Sequence, residues 1–431
     1  MAHLLISTAV CSALAIGCGQ RRPGGPAGGN VFFTARDHQT RYAGPGRAVP
    51  EPADVQEVRI GYFGLDDAND PDSGDLWRAA RMAVEQANAE GGYRGKPFRL
   101  VPRWSKGQWG TGAAEVVRLA YRDRVWAIIG GPDGASTHLA EQVAAKARLT
   151  LLSPASTDKT VNLVNVPWMF SLVPADHLLA PALAAEISAR VGRRPIVLVS
   201  AADHDARLLS DELGKALRAF RLVPRRHFVW RPDATRADAL AAQIVAAAPT
   251  AVVLLAGPAD SAKLVVAVRR ARFAGLIFGG PPMGRRRFAK EAGAAAEGVV
   301  FPLLYRRPKA KGGFAQRFRN RWRVEADYAA AHTYDAVALL VAAVRKAGLN
   351  RARIADAVRA LSPWTGVTGV VRWDPSGANT RPVRLAAIRN GRPEPLAAEH
   401  PAKRPSGQPD GRARAAISRV ASPPRPGRGP R

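Results

Sequence analysis

The chain has 431 residues, 47% of them hydrophobic and 23% charged, and this composition is typical of a folded protein with room for two α/β domains. Its 64 Lys and Arg against 35 Asp and Glu give a net charge of +29, a value that suggests nucleic-acid binding. We nevertheless expect no nucleic-acid partner. Much of the arginine excess is spread singly, and the chain has neither an aromatic-interleaved basic motif nor a Cys/His finger. No apolar stretch reaches the roughly 18–20 residues that a membrane-spanning helix needs.

Both cysteines, Cys11 and Cys18, lie at the start of the chain. The remainder therefore has no disulfide, thiolate metal site or thiol nucleophile. Residues 1–18 are short and apolar, which predicts an export signal, and their ending LAIGC resembles a bacterial lipoprotein signal in which Cys18 carries the lipid. A plain secretory signal and a misassigned start codon are the alternatives, because residues 1–3 contain no Lys or Arg.

Two segments that flank the body lack sustained hydrophobic periodicity. Residues 19–54 are rich in Gly, Pro and Arg, which predicts a disordered tether after the export signal. Residues 397–431 are basic and rich in Pro and Gly, which predicts a disordered tail.

Strand and helix patterns alternate regularly between these segments. Apolar runs predict strands at residues 58–63, 97–101, 125–130 and 149–153. Helical periodicity predicts three helices in this region. The first has its N-cap at Asp75 and continues to Gly91, and the other two span residues 112–122 and 136–147.

The pattern restarts after residues 167–173. It predicts strands at residues 196–200, 223–230, 251–255 and 276–278, with helices that begin near Asp205, Arg236 and Asp260. Residues 314–361 are mostly helical in pattern, and late strands follow at 370–373 and 383–388. Short apolar strands separated by helices indicate parallel sheets covered on both faces, and the repeated run predicts two doubly wound α/β lobes.

No catalytic arrangement emerges from the motifs. Residues 91–97 resemble a phosphate-binding loop, but the spacing is one residue short and Pro97 replaces the magnesium-binding hydroxyl. Residues 134–138 lack the second glycine of a nucleophile elbow. The eight histidines never fall at metal-ligand spacing, and His204, the one flanked by acids, is typical of a solvated turn. We therefore expect neither an enzyme nor a metal site.

Compact polar residues follow three predicted strands, at residues 131–137, 153–158 and 200–205. In open parallel sheets, ligands bind beyond the carboxyl ends of the strands. A helix that starts at Ser136 would also direct its N-terminal N–H groups toward a bound oxyanion. Ser136, Ser156 and Thr157 equally suit simple capping and turn roles, and this alternative stays open.

Several motifs together resemble one family. The stretches VRIGYFG at residues 58–64 and AVEQANAEGGYRGKP at residues 83–97 closely resemble the opening of bacterial periplasmic proteins of the leucine/isoleucine/valine-binding family. Further motifs follow in the family's order: AIIGGP at 127–132, LSPAST at 152–157, AEGV at 296–299 and YDA at 334–336. The resemblance covers residues 55–396.

The resemblance implies the type I periplasmic binding protein fold, in which two doubly wound parallel-sheet lobes are joined by three crossovers. These crossovers are expected near residues 173–174, 301–302 and 362–363. The N-terminal lobe would then comprise residues 55–173 plus 302–362. The C-terminal lobe would comprise residues 174–301 plus 363–396.

The resemblance also implies a ligand site. Loops that hold a ligand's α-carboxylate and ammonium in the family correspond here to Gly134, Ala135, Ser136 and Thr137, and to Ala155, Ser156 and Thr157. Asp205 stands where a tyrosine often closes over the ligand, with Asp203 beside it, and Pro282 stands where leucine-type binders place a carboxylate. Anion-binding donors on one wall and Asp205 on the other would suit a zwitterion or a neutral amide.

The function that the resemblance implies is the capture of a small polar solute, such as an amino acid or amide, for delivery to an ABC-type permease. We expect a monomer in the periplasm or cell envelope, anchored through Cys18, with no cofactor. The alternative is a sensing module of the same fold that reports to a signalling partner.

Overall fold

We analysed the protein as a computed structural model, which describes residues 33–36, 39–105, 111–164, 166–233, 235–308 and 312–397. The predicted export signal, with Cys18, and the predicted tail from residue 398 onward lie outside the described residues. Among the helices of the described part, none is long and apolar enough to cross a bilayer.

The first lobe is built on a five-stranded parallel sheet. An antiparallel hairpin, β1 (Phe33–Arg36) and β2 (Gln39–Tyr42), precedes it. The sheet has the order β4-β3-β5-β6-β7. Its strands are β3 (Val58–Phe63), β4 (Phe98–Arg103), β5 (Ala127–Gly130), β6 (Thr150–Ser153) and β7 (Met169–Ser171). The intervening helices are α1 (Gly74–Ala89), α2 (Ala113–Val117), which continues as a π-helical turn (Arg118–Arg122), α3 (Gly134–Ala147) and α4 (Thr160–Leu163).

The second lobe is built on a seven-stranded sheet with the order β16-β15-β12-β11-β10-β8-β9. Its parallel strands are β8 (Ile196–Ala201), β9 (Arg226–Trp230), β10 (Ala251–Leu255), β11 (Leu276–Gly279) and β12 (Val300–Pro302). Its helices are α5 (Asp176–Val191), α6 (His204–Ala219), α7 (Ala237–Ala246), α8 (Pro258–Arg270) and α9 (Arg286–Ala292).

The chain passes between the lobes three times. After β12 it returns to the first lobe as α10 (Phe314–Trp322), α11 (Tyr328–Ala347) and α12 (Arg351–Ala360), and α11 packs along α1. It then forms an antiparallel hairpin, β13 (Trp364–Gly366) and β14 (Gly369–Val371), and ends in the second sheet as β15 (Leu385–Arg389) and β16 (Arg392–Pro395). These last two strands are antiparallel to their neighbours. The predicted two-lobed, mostly parallel α/β fold is confirmed.

Central strands bury both faces, because helices cover each sheet on both sides. In β10, Val252 and Leu254 belong to one apolar cluster, whereas Val253 and Leu255 belong to another on the opposite face. Side chains alternate along a strand, so an apolar run without polar residues is what such a strand requires. This is why β10 could be predicted to the residue.

Residues 42–54 are part of the folded body, which corrects the prediction of a tether through residue 54. Tyr42 is 4% exposed and packs edge-on against Trp168, with ring centroids 5.2 Å apart. The Tyr93 hydroxyl donates to the Glu51 carboxylate over 2.7 Å. Local composition missed this segment because its partners lie far away in the chain.

Two local predictions are also corrected. Helix α1 begins at Gly74, after Ser73, so Asp75 lies in the first turn rather than at the N-cap. Its carboxylate instead accepts hydrogen bonds from Arg78 and Arg286. Residues 369–371 pair in a hairpin rather than in either main sheet, because the chain there connects the lobes.

Candidate functional site

A cavity of about 520 Å³ lies between the lobes. Its lining comes from loops at the carboxyl ends of parallel strands in both sheets, the place where α/β sheets bind ligands. The first lobe contributes Asp72, Ser73, Trp104, Pro132, Asp133, Ala135, Ala155 and Thr157, together with Tyr328 at the start of α11. The second lobe contributes Asp203, His204, Asp205, Ala206, Leu209, Leu255, Ala256, Gly257, Pro258, Gly280, Pro281, Pro282 and Arg285.

Helix α3 brings its N-terminus to the cavity. Asp133 is the N-cap: its side chain accepts from the Ser136 N–H over 2.8 Å and from the Ser136 hydroxyl over 2.6 Å. The Thr137 hydroxyl donates to the Asp133 carbonyl over 2.6 Å. Ser136 and Thr137 are buried and do not line the cavity, so their hydroxyls hold the loop together. The capping role, which the sequence left open, is the one that Ser136 plays here.

The loop after β6 presents Ala155 and Thr157 to the cavity. Ser156 is buried, and its hydroxyl accepts from the Asp158 N–H over 3.3 Å. Behind Thr157 lies Asp176, at the start of α5. The Asp176 N–H donates to the Thr157 carbonyl over 2.8 Å, and neither oxygen of the Asp176 carboxylate has a hydrogen-bond partner among the described residues. Burial raises the pKa of Asp176 well above its usual range. Thr157 is therefore the hydroxyl of this loop that meets the cavity.

The second lobe presents the N-terminus of α6. Asp203 caps this helix, since its carboxylate accepts from the Ala206 N–H over 2.8 Å. Both oxygens of Asp205 lie 3.0 Å from the backbone nitrogen of Gly134, which donates across the cleft. Burial raises the pKa of Asp205 to about 7, against the opposing effect of this hydrogen bond. Gly134 thus contacts the opposite lobe and stands outside the cavity lining.

One wall carries a buried cation that the sequence did not single out as a site residue. Arg285 donates from Nε to Asp327 over 2.6 Å and also donates to the Asp72 carbonyl. Its guanidinium lies 5.8 Å from the centroid of the Tyr328 ring. Burial alone would lower the pKa of Arg285, but the neighbouring Asp327 and the other facing groups raise it, so the side chain stays charged.

The remaining lining is largely apolar. Trp104, Leu209 and Leu255 supply large side chains, and Pro282 lies among the residues that follow β11. Sequence analysis named Pro282 but missed Trp104, which follows β4 directly. The position of Trp104 beyond a strand's carboxyl end is the feature of the sequence that could have predicted it as a cavity residue, although an apolar side chain does not by itself indicate a binding role.

Three side chains that the sequence did not connect meet at the edge of the cleft. His138 Nε2 lies 2.9 Å from Asp158 Oδ2, and His204 Nε2 lies 2.8 Å from the same oxygen. Burial would raise the pKa of Asp158, but hydrogen bonds from both histidines and from Thr160 hold it well below its usual range. The hydrogen bonds to Asp158 and Glu141 raise the pKa of His138 to about 9. Imidazole nitrogens and a carboxylate in this arrangement can hold a metal ion.

Comparison with protein families gives a match to the periplasmic binding protein family over residues 57–393, most of the chain. This chain belongs to the periplasmic binding protein family. The resemblance inferred from the motifs at residues 58–64 and 83–97 is thereby confirmed. The family is a class of solute-binding proteins that act outside the cytoplasm. Comparison with curated protein sequences gives no match.

Solved structures of this periplasmic binding protein's relatives share its fold. The leucine-binding protein LivK from Thermotoga maritima has 20% identity and a TM-score of 0.71, over 79% of this chain and 98% of that one. LivJ from Streptococcus pneumoniae, in complex with isoleucine, has 21% identity and a TM-score of 0.70, over 78% and 98%. A benzoate-bound solute-binding protein from R. palustris has 15% identity and a TM-score of 0.70, over 79% and 95%.

Proposed function

We propose that this periplasmic binding protein captures a small polar solute that carries a carboxylate and delivers it to an ABC-type permease. The solute is an amino acid or a related amide or acid. The observation that supports this most directly is the cavity of about 520 Å³, with polar groups from both lobes on its walls. Its volume falls in the range of roughly 300–1,000 Å³ that is typical of small-molecule sites.

The distribution of polar groups around the cavity supports a ligand with an anionic group at one end and an ammonium or amide N–H at the other. On the wall of the first lobe, the Thr157 hydroxyl can donate to an anion. At the N-terminus of α3, Asp133 and Asp205 already accept the Ser136 and Gly134 N–H groups, so the anion contact proposed here is the Thr157 hydroxyl rather than the helix terminus. Asp203 and Asp205 on the opposite wall favour an ammonium or an amide N–H. Trp104 offers an apolar surface for the rest of the solute. Two relatives of known ligand, bound to isoleucine and to benzoate, also hold small carboxylates.

Calorimetric titration and thermal shift against a defined panel test this proposal. The panel contains branched-chain, aromatic and small amino acids, benzoate, neutral amides and urea. A ligand at about 100 times its Kd should stabilise the folded protein by about 2.7 kcal/mol. Failure of every carboxylate to bind would overturn the proposed solute class.

The Thr157→Val variant, titrated with the tightest-binding ligand from that panel, tests whether the ligand binds at this loop. Loss of a hydrogen bond to a charged group costs about 1.5–3 kcal/mol, so affinity should fall at least tenfold. Thr157→Ser keeps the hydroxyl and is the matched control. Equal affinities in the valine variant and the parent would place the ligand elsewhere.

We propose further that Cys18 anchors the protein to a membrane through a lipid. The support is the short apolar segment that precedes it and ends in LAIGC. Cys18→Ala should move the protein from the membrane fraction to the soluble fraction. Cys11→Ala, which changes the other cysteine of the same segment, should leave it with the membranes. A Cys18 variant that still sediments with membranes would contradict the anchor.

Delivery to a permease is tested by uptake. Spheroplasts that lack the protein should regain uptake of the radiolabelled ligand when the parent protein is added, and not when Thr157→Val is added. Tight binding without restored uptake would instead favour the sensing role.

A further inference from the structure

We propose that His138, Asp158 and His204 form a binding site for a divalent transition metal, of which zinc is the best match, and that the bound ion joins the two lobes at the rim of the cleft. His138 comes from α3 and Asp158 from the loop after β6, both in the first lobe. His204 begins α6 in the second lobe. The three ligand atoms all lie within 4.8 Å of one another.

The donor set matches zinc in kind and number. Zinc in proteins binds histidine nitrogen at about 2.0–2.1 Å and carboxylate oxygen at about 2.0–2.2 Å, and open zinc sites commonly have three protein ligands. Magnesium and calcium favour sites made of oxygens alone, which this one is not. A tetrahedral ion would separate the ligand atoms by about 3.3 Å. Nε2 of each histidine now lies 2.8–2.9 Å from Asp158 Oδ2, so each imidazole must move about half an ångström away from this oxygen to admit the ion. His138 Nε2 must also give up its 2.6 Å contact with the Thr160 hydroxyl.

Neighbouring groups hold two of the ligands in orientations that suit a metal. Glu141 is buried, and its Oε2 lies 3.3 Å from Nδ1 of His138, on the far side of the ring from Asp158. A carboxylate behind the second ring nitrogen is the usual companion of a metal-binding histidine. The N–H and hydroxyl of Thr160 each donate to Asp158 Oδ1 over 2.7 Å, which leaves Oδ2 to face the histidines.

Burial and position distinguish this cluster from an ordinary surface contact. The Asp158 side chain is fully buried, whereas the two histidines are 21% and 31% exposed, so an ion can enter from the side of the imidazoles. Two rings from different lobes converge on a single oxygen and stand nearly perpendicular, with centroids 5.9 Å apart. His204 also lines the solute cavity. An ion held by all three side chains would stabilise the closed arrangement of the lobes.

The proposed metal site does not involve the solute, so the proposal does not depend on whether the proposed solute class is correct. Its test uses the untagged full chain, freed of metal by a chelator. Calorimetric titration with Zn²⁺ should show one tight site, whereas Mg²⁺ at the same concentration should not bind. Co²⁺ should give the intense visible absorption of a tetrahedral or five-coordinate ion. Weak or absent Zn²⁺ binding by the parent protein would overturn the proposal.

Matched variants assign the ion to these residues. His204→Gln and His138→Gln should each lower Zn²⁺ affinity at least 100-fold and abolish the Co²⁺ spectrum. Glu141→Gln should lower the affinity about tenfold, since companion groups typically contribute 10- to 100-fold. His177→Gln, which replaces an exposed histidine on α5, should change neither. Equal Zn²⁺ affinity in the His204 variant and the His177 control would refute the site.

Lobe joining has its own measurement. Zn²⁺ should reduce the radius of gyration of the parent protein, measured by small-angle X-ray scattering without solute, and should have no such effect on His204→Gln. Melting curves recorded without metal show whether each variant is folded. If the ion binds the parent and leaves its radius unchanged, it does not join the lobes and that part of the proposal is wrong.

Discussion

Among the residues that line the cavity, Asp205 is the one whose charge most directly affects which class of ligand the protein binds. It lines the cavity from the second lobe, and its carboxylate accepts the Gly134 N–H of the first. A carboxylate so placed can attract the ammonium of a ligand and, at the same time, draw the lobes together. The attraction of the ammonium depends on its negative charge, and with a pKa of about 7 that charge is complete only above neutral pH.

Asp205→Asn should therefore discriminate between ligand classes. For a ligand with an ammonium group, affinity should fall at least tenfold, because the asparagine oxygen can accept a hydrogen bond but carries no charge. Neutral amides should lose much less. Calorimetry on one ligand of each class provides the comparison, with Asp211→Asn, at an exposed position on the same helix, as the control. Equal losses for both classes would move the ammonium contact to Asp203 or His204.

The candidate site could be predicted only in part at the residue scale. Strand-end loops located Ala155 and Thr157 at the cavity, because the position of a loop follows from the order of strands. Local sequence could not separate Thr157, which faces the cavity, from Ser156 beside it, which is buried. Arg285 was not predicted as a site residue, since its partner Asp327 is distant in the chain.

At the element scale, the N-terminus of α3 shows how closely the lobes approach. A Cβ added to Gly134 would lie 2.3 Å from Asp205 Oδ1 and 3.0 Å from the Asp158 Cβ. No side chain fits this contact without movement, so glycine at the first position of α3 is what permits the Gly134–Asp205 hydrogen bond.

Gly134→Ala should prevent full closure and lower ligand affinity by about tenfold or more, while each lobe remains folded. Calorimetry gives the affinity and X-ray scattering gives the larger radius of the liganded variant. Gly214→Ala adds the same methyl group on α6, where the nearest heavy atom is 3.8 Å away, and should leave both quantities unchanged. An unaltered affinity in Gly134→Ala would mean that the loop yields more easily than this contact suggests.

Helix α11 contains a buried histidine that links stability to pH. Nδ1 of His332 donates to the Tyr328 carbonyl over 2.8 Å, and Nε2 has no hydrogen-bond partner among the described residues. Burial, together with the charge of Arg381, lowers the pKa of His332 to about 3, against the opposing effects of the hydrogen bond to the Tyr328 carbonyl and the charge of Asp327. The unfolded chain therefore binds a proton near pH 6.5, at the ordinary pKa of histidine, whereas the folded chain does not.

The free energy of unfolding should consequently decrease as the pH falls from about 6.5 toward 3, and His332→Gln should reduce that decrease. Urea unfolding at pH 7.5 and pH 4.5 measures the difference for each protein. His227→Gln, at an exposed position on β9, should behave like the parent. The expectation fails if the parent and His332→Gln lose the same free energy between the two pH values.

Elements with uniform burial were the most predictable parts of the fold. The run at 251–255, which is buried throughout, is a strand with those bounds, and so is the run at 58–63, in which only Arg59 is exposed. Helix starts were less predictable, because competing polar residues lie side by side: Asp75 suggested a cap, yet α1 begins at Gly74. Residues 42–54 were least predictable, since the partners that hold them to the body, Trp168, Tyr93 and Asn350, are distant in the chain.

For the whole molecule, ion pairs connect the lobes, and of the residues in these pairs only Asp72 lines the cavity. Arg286 of the second lobe binds Asp75 of the first through two hydrogen bonds of 2.7 and 3.1 Å, and Arg287 pairs with Asp72. On another side, Lys159 of the first lobe lies 2.8 Å from Glu212 of the second. Each of these pairs stabilises the closed form, because opening separates the charges.

Arg286→Gln should shift the protein toward an open form. Charged hydrogen bonds of this kind contribute about 1.5–3 kcal/mol, reduced here because Arg286 is partly exposed, so we expect a loss of ligand affinity of about 5- to 30-fold. X-ray scattering should show a larger radius of gyration. Arg270→Gln removes a comparable charge from an exposed pair within one lobe and is the control. Identical radii for the two variants would rule out this role of Arg286.

Arg286 and its partner Asp75 join the lobes without lining the cavity, and this separation has a practical consequence. A sensor engineered from this protein would need its working concentration range adjusted without altering which analyte it prefers. Substitutions at Arg286 would change the opening equilibrium and so shift the response to every analyte alike. Substitutions in the lining, at positions such as Trp104 or Leu209, would change the preference itself.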